Sequence, residues 1–180
     1  MKLSTFLLPL ALLVACGGSE PESKPTKADT TAQQKPEPKP EPKPEPKVEI
    51  VVDDGTTVTV NLTGSDAMKY NTDAIEVAAG RTVKVNLKHI GRMPVNQMGH
   101  NFVLLAKGTD VAAFVRAGAN AQDTGYVADS MKDKVIAKTK LIGGGESDTV
   151  EFAAPEPGVY DFICSFPNHA AVMKGKLTVK

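Results

Sequence analysis

The sequence is short of the features that several classes of protein require. Its 180 residues include no tryptophan, three tyrosines, six phenylalanines and two cysteines. Two cysteines are too few for a disulfide-rich scaffold. Basic and acidic residues are balanced at 21 each, so the chain has no overall positive field for a nucleic-acid backbone and few rings to stack on bases. We therefore expect no nucleic-acid partner.

The first 15 residues are predicted to be a secretion signal, because Lys2 gives a positive start and an apolar run follows at residues 6–14. That run is too short for a transmembrane helix, which needs about 20 residues. It ends in the letters LVAC, which resemble the bacterial lipobox, so Cys16 is predicted to carry lipid after cleavage. Glycine rather than aspartate follows this cysteine, which favours the outer membrane of the cell envelope. The alternative is a plain signal peptide with an incidental cysteine.

Residues 16–47 are predicted to be a disordered tether. Almost nothing in residues 17–47 is apolar, so this stretch cannot bury enough surface to fold. Within it, residues 35–47 alternate strictly as KPEPKPEPKPEPK, and proline at every second position excludes both helix and sheet. The regular conformation left to it is polyproline II. A proline-rich recognition ligand is the alternative interpretation.

Residues 48–180 are predicted to form one domain, mostly of β structure. Apolar and polar residues alternate in residues 57–62 and 82–90, as in half-buried strands. Residues 110–131 differ, because they are alanine-rich with apolar residues at helical spacing. About seven short strands with one short helical insertion predict an all-β, Greek-key two-sheet β-sandwich. The other candidate strands are residues 102–105, 149–152, 159–164 and 175–179.

Three side chains able to bind a metal lie within ten residues near the C-terminus, in CSFPNHAAVM. The spacing C-x4-H-x3-M places Cys164, His169 and Met173 in one short loop between two candidate strands. His100, in MGHN just before another strand, is a fourth candidate donor. If Cys16 is lipidated, Cys164 has no disulfide partner, which makes it a candidate ligand or nucleophile.

The chemistry of these donors favours copper. Two histidines, one cysteine and a weak axial methionine are the donor set of blue-copper electron-transfer sites. Zinc gains little from a thioether, calcium and magnesium prefer oxygen, and the C-x-x-C-H attachment of a c-type haem is absent from the sequence. Two alternatives for Cys164 are a buried structural thiol and a Cys–His nucleophile, although no third member of a catalytic triad is evident. His89 shares a strand face with an apolar stripe and is interpreted as a core histidine, not a ligand.

The sequence as a whole resembles the azurin family of cupredoxins, in particular its lipid-modified form. The matching segments run in family order from about residue 58 to the C-terminus, a span typical of a whole domain. They are GSDAMKYNT (64–72), NLKHIG (86–91), MGHN (98–101), TKLIGGGE (139–146) and CSFPNHAAVMKG (164–175).

The resemblance implies a cupredoxin-like fold that holds one type 1 copper ion. It implies that His100, Cys164 and His169 bind copper in a plane, with Met173 as a long axial ligand and the Gly99 carbonyl oxygen on the opposite side. Two backbone N–H groups, those of Asn101 and Phe166, are expected to donate to the cysteine sulfur.

The resemblance also implies an electron carrier rather than an enzyme, in a monomeric domain anchored to the membrane by its lipid. Electrons would pass through a partly exposed His169, surrounded by an apolar patch. The partners would be one-electron redox proteins of cytochrome or copper-enzyme type. A copper-binding or copper-delivery module and a cysteine-dependent enzyme are the two alternatives. The apolar patch expected around His169 consists of Met68, Met98, Phe166 and Pro167.

The chain departs from the azurin pattern at several positions. The family usually has a disulfide near Val58 and Gly80, and neither position is a cysteine here. Removing a disulfide commonly costs a small domain about 2–5 kcal/mol, so compensation is expected, with residues 48–57 as the candidate segment. Asn168 stands where the family usually has glycine, directly before His169.

Overall fold

The computed structural model describes residues 49–180, which form two β-sheets and a few short helices. The predicted signal sequence, the predicted lipidation site Cys16 and the predicted tether lie outside the described residues. Within residues 49–180 no helix is both long and apolar enough to cross a membrane. The strands are β1 (Val51–Asp53), β2 (Thr57–Ser65), β3 (Lys69–Tyr70), β4 (Ala74–Val77), β5 (Thr82–His89), β6 (Val103–Leu105), β7 (Val135–Lys138), β8 (Ser147–Ala153), β9 (Gly158–Ile163) and β10 (Lys174–Val179), and the helices are α1 (Val95–Met98) and α2 (Val111–Gly118).

The first sheet has the strand order β1-β2-β5-β8, with β3 paired to the end of β2. Strands β2 and β5 run parallel, with Val58 opposite Val83 and Gly64 opposite His89. The predicted alternation of buried and less buried residues is confirmed in both strands, because every second residue of each strand is buried. The valines and leucines of the two strands therefore form one wall of the core.

The second sheet has the order β4-β10-β9-β6-β7, in which only the β4–β10 pair is parallel. Side chains from both sheets meet in one buried apolar cluster, which includes Leu62, Leu87, Phe102 and Phe162. The chain crosses repeatedly between the layers, since β5 and β8 belong to the first sheet and their sequence neighbours to the second. The predicted two-sheet β-sandwich is confirmed.

The predicted helical insertion is also confirmed, as α2 followed by two 3₁₀ turns at Gln122–Thr124 and Asp129–Lys134. The Asp110 side chain caps α2 by accepting hydrogen bonds from the backbone N–H groups of Ala112 and Ala113. Phe114 anchors the helix, because its buried ring packs in a second cluster on the outer face of β6 and β9. The four-residue α1 was not predicted, since a single turn carries no hydrophobic period.

Strand β1 contacts the two segments at which the azurin resemblance implies a disulfide. It pairs antiparallel with β2, placing Asp53 opposite Val58, and the Asp53 carboxylate lies 3.7 Å from the guanidinium of Arg81. Arg81 directly follows Gly80, so β1 contacts both segments that the family's disulfide would join. The turn into β2 is held by backbone N–H groups that donate to the side chains of Asp53 and Asp54.

We predict that β1 contributes measurably to stability. A chain lacking residues 1–55 should have a free energy of unfolding about 1–3 kcal/mol lower than one lacking only residues 1–47, because each backbone hydrogen bond contributes about 0.5–1.5 kcal/mol net. Urea denaturation of the two truncated proteins, both loaded with metal, measures this difference. Equal unfolding midpoints would show that β1 does not compensate for the absent disulfide.

Candidate metal centre

The structure brings three of the four predicted donors together at one end of the sandwich. Cys164 follows β9, His169 begins a 3₁₀ turn in the next loop, and His100 lies between α1 and β6. The Sγ atom of Cys164 is 3.9 Å from Nδ1 of His100 and 3.5 Å from Nδ1 of His169. All three side chains are buried, and their donor atoms lie within 4.8 Å of one another, close enough to share one metal ion.

The fourth predicted donor, Met173, is fully buried at the far end of the same loop. The loop is closed by two backbone hydrogen bonds, from Cys164 N–H to the Met173 carbonyl at 2.9 Å and from Met173 N–H to the His169 carbonyl at 2.7 Å. Met173 and His100 both pack against Gly64. A Cβ at Gly64 would lie 2.8 Å from Cε of Met173 and 2.7 Å from Cδ2 of His100, so the site requires glycine there.

The hydrogen bonds of His100 fix which of its ring nitrogens faces the cysteine. Its Nε2 lies 2.9 Å from the Ser65 carbonyl oxygen, which can only accept, so Nε2 carries the proton. The lone pair of Nδ1 is therefore free on the side of the Cys164 sulfur. A carbonyl that orients a histidine in this way is a common feature of metal sites.

His89 contacts the site but has both ring nitrogens occupied by the backbone. Its Nε2 donates to the Met98 carbonyl at 2.8 Å and its Nδ1 accepts from Gly91 N–H at 3.0 Å. The ring stacks on His100 with centroids 4.2 Å apart. His89 therefore packs against one face of the His100 ring, and this agrees with the interpretation of His89 as a core residue.

Burial controls the protonation of the three donors. It raises the pKa of the Cys164 thiol to about 11, against the hydrogen bonds from the Asn101 and Phe166 amides, which lower it. Burial lowers the pKa of His169 to about 4, assisted by the neighbouring His100 and His89, and burial also lowers the pKa of His100. At neutral pH the imidazoles can therefore bind a metal directly, whereas the thiol must lose a proton to do so.

Asn101 links the two segments that carry the donors. Its Oδ1 accepts from the backbone N–H of Ser165 at 2.9 Å, and its Nδ2 donates to the Gly125 carbonyl at 3.1 Å. The Ser165 hydroxyl donates to the same Gly125 carbonyl at 2.6 Å. The sequence predicted only the backbone amide of Asn101, and no spacing signal could reveal this network because it joins residues distant along the chain.

Gly99 also lies at the site, with its carbonyl oxygen 3.7 Å from the Cys164 sulfur. The residue is buried, and a Cβ there would lie 2.5 Å from the Val95 carbonyl oxygen. Only glycine therefore allows α1 to pack so closely before His100.

The residues of the predicted apolar patch differ in their exposure. Met68 is 36% exposed, Met98 and Pro167 are half-buried, and Phe166 is buried with its ring centroid 4.6 Å from that of His169. His169 itself is only 2% exposed, so the expected partial exposure is wrong. Phe166 covers part of the ring of His169.

The substitution of asparagine for glycine before His169 is tolerated by the backbone. Asn168 has a φ of 68°, in the left-handed region, immediately before the 3₁₀ turn His169–Ala171. Asparagine adopts this conformation more readily than other residues with a side chain. The loop from Cys164 to Met173, called here the copper loop, therefore keeps a left-handed residue at the position before His169.

Comparisons with known proteins agree with this geometry. The family model of copper-binding proteins of the plastocyanin/azurin family matches residues 50–180. Azurin from Pseudomonas denitrificans is 45% identical over 127 residues, which cover 68% of this chain and 98% of that protein. Azurin from Bordetella pertussis is 42% identical over 123 residues, covering 66% of this chain and 81% of that protein.

Two further relatives extend the comparison. Outer membrane protein H.8 from Neisseria meningitidis is 43% identical over 118 residues, which cover 64% of this chain and 63% of that protein. Among solved structures, the blue copper protein auracyanin A from Chloroflexus aurantiacus superposes with a TM-score of 0.63 at 29% identity, covering 69% of this chain and 99% of that one. The buried donor set fits copper, and the chain belongs to the plastocyanin/azurin family of copper-binding proteins.

Proposed function

We propose that this azurin-like electron-transfer protein passes single electrons through one type 1 copper site while a lipid on Cys16 tethers it to the bacterial envelope. The observation that carries the electron-transfer assignment is the convergence of His100, Cys164 and His169 in a buried cluster with Met173 beside it. Two imidazoles, one thiolate and one thioether are the donor set of blue-copper carriers.

In this proposal Nδ1 of His100, Nδ1 of His169 and Sγ of Cys164 would hold the copper ion. The thioether of Met173 would be a weaker further ligand, and the Gly99 carbonyl oxygen would lie close to the ion. Bound copper supplies a one-electron couple between Cu(II) and Cu(I). The backbone amides of Asn101 and Phe166 donate to the sulfur and thereby adjust the reduction potential.

The fold holds these donors in one arrangement for both oxidation states. His100 is fixed by the Ser65 carbonyl and the His89 ring. The loop from Cys164 to Met173 is closed by the hydrogen bond from Cys164 N–H to the Met173 carbonyl. Because the donors cannot relax far when the charge on the metal changes, electron transfer involves little movement of the protein. This rigidity suits a carrier, which transforms no substrate.

Electrons would enter and leave beside His169, through the apolar patch of Met68, Met98, Phe166 and Pro167. Such a patch suits brief docking, since transient redox complexes have small interfaces that dissociate rapidly. The partner class that fits is a one-electron redox protein, a cytochrome or a copper enzyme. The burial of His169 requires the partner to approach closely over the patch.

The envelope location is supported by the lipobox-like LVAC before Cys16 and by the proline-rich residues 35–47. A polyproline II segment extends about 3.1 Å per residue, so it would hold the domain away from the membrane surface. The relative named outer membrane protein H.8 is consistent with outer-membrane placement. This tether would let the domain reach partners while it stays anchored.

The central test of the copper site uses the two cysteines as matched variants. Copper-loaded wild-type protein should show an intense blue Cu–thiolate absorption and reversible one-electron voltammetry. Cys164→Ser should lose both, because the oxygen of serine cannot replace the thiolate. Cys16→Ser should keep the colour and lose membrane association in cell fractionation. A colourless wild-type protein that surrenders copper readily would instead support a delivery module.

Copper binding should release a proton over a wide pH range. The thiol of Cys164 has a pKa near 11, His169 has one near 4, and the pKa of His100 is lowered by burial from its ordinary value of 6.5. Between about pH 7 and pH 11 binding should therefore displace about one proton, and the Cu(II) affinity should rise about tenfold per pH unit. Calorimetric titration in buffers of different ionisation enthalpy counts the released protons. Binding at pH 7 without proton release would show that the thiol is already ionised in the metal-free protein.

Gly64 should be intolerant of any side chain. Gly64→Ala places a methyl group against His100 and Met173, and such overpacking typically costs about 1–3 kcal/mol. We expect a changed charge-transfer spectrum and weaker copper binding, measured by absorption and competition with a chelator. Ser65→Ala is the control, because it keeps the carbonyl that holds His100. An unchanged spectrum in Gly64→Ala would contradict the proposed positions of both ligands.

A further inference from the structure

We propose that Tyr70 is a positioning residue for the copper site, because its hydroxyl holds the backbone of Asn101 and thereby the hydrogen bond that Asn101 donates to the Cys164 sulfur. This inference rests on the proposed electron-transfer function. It concerns a residue that no motif in the sequence marks as part of the site.

Tyr70 reaches from one sheet to the other. It belongs to β3, where it pairs with Gly64 at the end of β2, so its backbone lies in the first sheet. Its side chain is 5% exposed, and its ring packs on Phe162 of the second sheet with centroids 5.8 Å apart. The phenol O–H donates to the backbone carbonyl of Asn101, just before β6 of the second sheet. The bond therefore ties the two sheets together beside the metal site.

This hydrogen bond completes the fixation of Asn101. The side chain of Asn101 is held by Ser165 and Gly125, and its backbone N–H faces the Cys164 sulfur. Among the hydrogen bonds of residues 49–180, the one from Tyr70 is the only bond that the Asn101 carbonyl accepts. Without it a buried carbonyl would lack a partner and the residue would be free to tilt.

The phenol remains a donor under all conditions in which the protein would work. Burial raises the pKa of Tyr70 well above its ordinary value, and the nearby charge of Cys164 raises it further. Tyr70 therefore keeps its proton and remains a hydrogen-bond donor at neutral pH.

The consequence for the copper site follows from the role of N–H donors at sulfur. A hydrogen bond to the thiolate lowers the energy of its lone pairs and favours the more electron-rich, reduced state of the site. If Asn101 loosens, that bond weakens. The reduction potential should then fall, and the sulfur-to-copper absorption band should move to longer wavelength.

Tyr160 offers a matched control for this effect. It is also a buried tyrosine of the core, and its hydroxyl donates to the Glu156 carbonyl at 2.6 Å. Tyr160 lies on β9 opposite Leu177, away from the donor cluster. Tyr70→Phe and Tyr160→Phe therefore remove the same chemical group and the same kind of hydrogen bond, but only one of them touches Asn101.

The experiment compares the copper-loaded full chain with these two variants. Both should lose similar stability in urea. Only Tyr70→Phe should lower the potential in voltammetry and shift the absorption band to longer wavelength. In the diamagnetic copper(I) form of Tyr70→Phe, the amide hydrogen of Asn101 should exchange with solvent about two- to tenfold faster than in the wild-type chain, as expected for the loss of one hydrogen bond.

Unchanged potential, absorption and Asn101 exchange in Tyr70→Phe would overturn the proposal and leave Tyr70 as core packing alone.

If the Tyr70→Phe variant does not fold, a second experiment replaces Tyr70 with 3-fluorotyrosine in a chain that carries Tyr126→Phe and Tyr160→Phe. The more acidic fluorophenol is a stronger hydrogen-bond donor than phenol. The absorption band should therefore move to shorter wavelength and the reduction potential should rise. The absence of any shift would refute the role of Tyr70. A wild-type chain without reversible electron transfer would refute the proposed function instead.

Discussion

The metal centre depends on the hydrogen bonds that join Asn101 to Ser165. The donors His100 and Cys164 are 64 positions apart in the chain and belong to different turns of the sandwich. Asn101 and Ser165 follow these donors directly, and their side-chain and backbone bonds hold the two turns in register. Because both side chains are buried and hydrogen-bonded, shifting either turn would leave unpaired polar groups in the core, which is costly.

Burial then sets the chemistry of the cluster. An apolar shell keeps both imidazoles neutral and opposes ionisation of the thiol, so the metal-free site carries no charge that the core must accommodate. A bound cation supplies the charge that makes the thiolate stable. Metal binding and the integrity of this end of the sandwich are therefore linked, and the amides of Asn101 and Phe166 are already in place for the ionised sulfur.

The parts of the fold that local pattern encodes could be predicted from the sequence. Alternation located β2 and β5, and the C-x4-H-x3-M spacing located the copper loop, because both signals involve residues close in sequence. The Tyr70–Asn101 bond and the Asn101–Ser165–Gly125 network could not be predicted, since they join residues that only the folded topology brings together. The partial exposure predicted for His169 was wrong for a similar reason: its exposure depends on how the Phe166 ring is placed, which spacing does not encode.

Non-covalent contacts join the segments at which the azurin resemblance implies a disulfide. Strand β1 joins the segments at Val58 and Arg81 by backbone pairing and an ion pair, at the edge of the first sheet. Tyr70 joins the two sheets at the metal end by one hydrogen bond and the packing of its ring. A covalent link restrains the unfolded chain, whereas these contacts act only in the folded state. In this protein the two sheets are therefore held together by contacts of the folded state, one of them beside the copper ligands, and not by a covalent restraint on the unfolded chain.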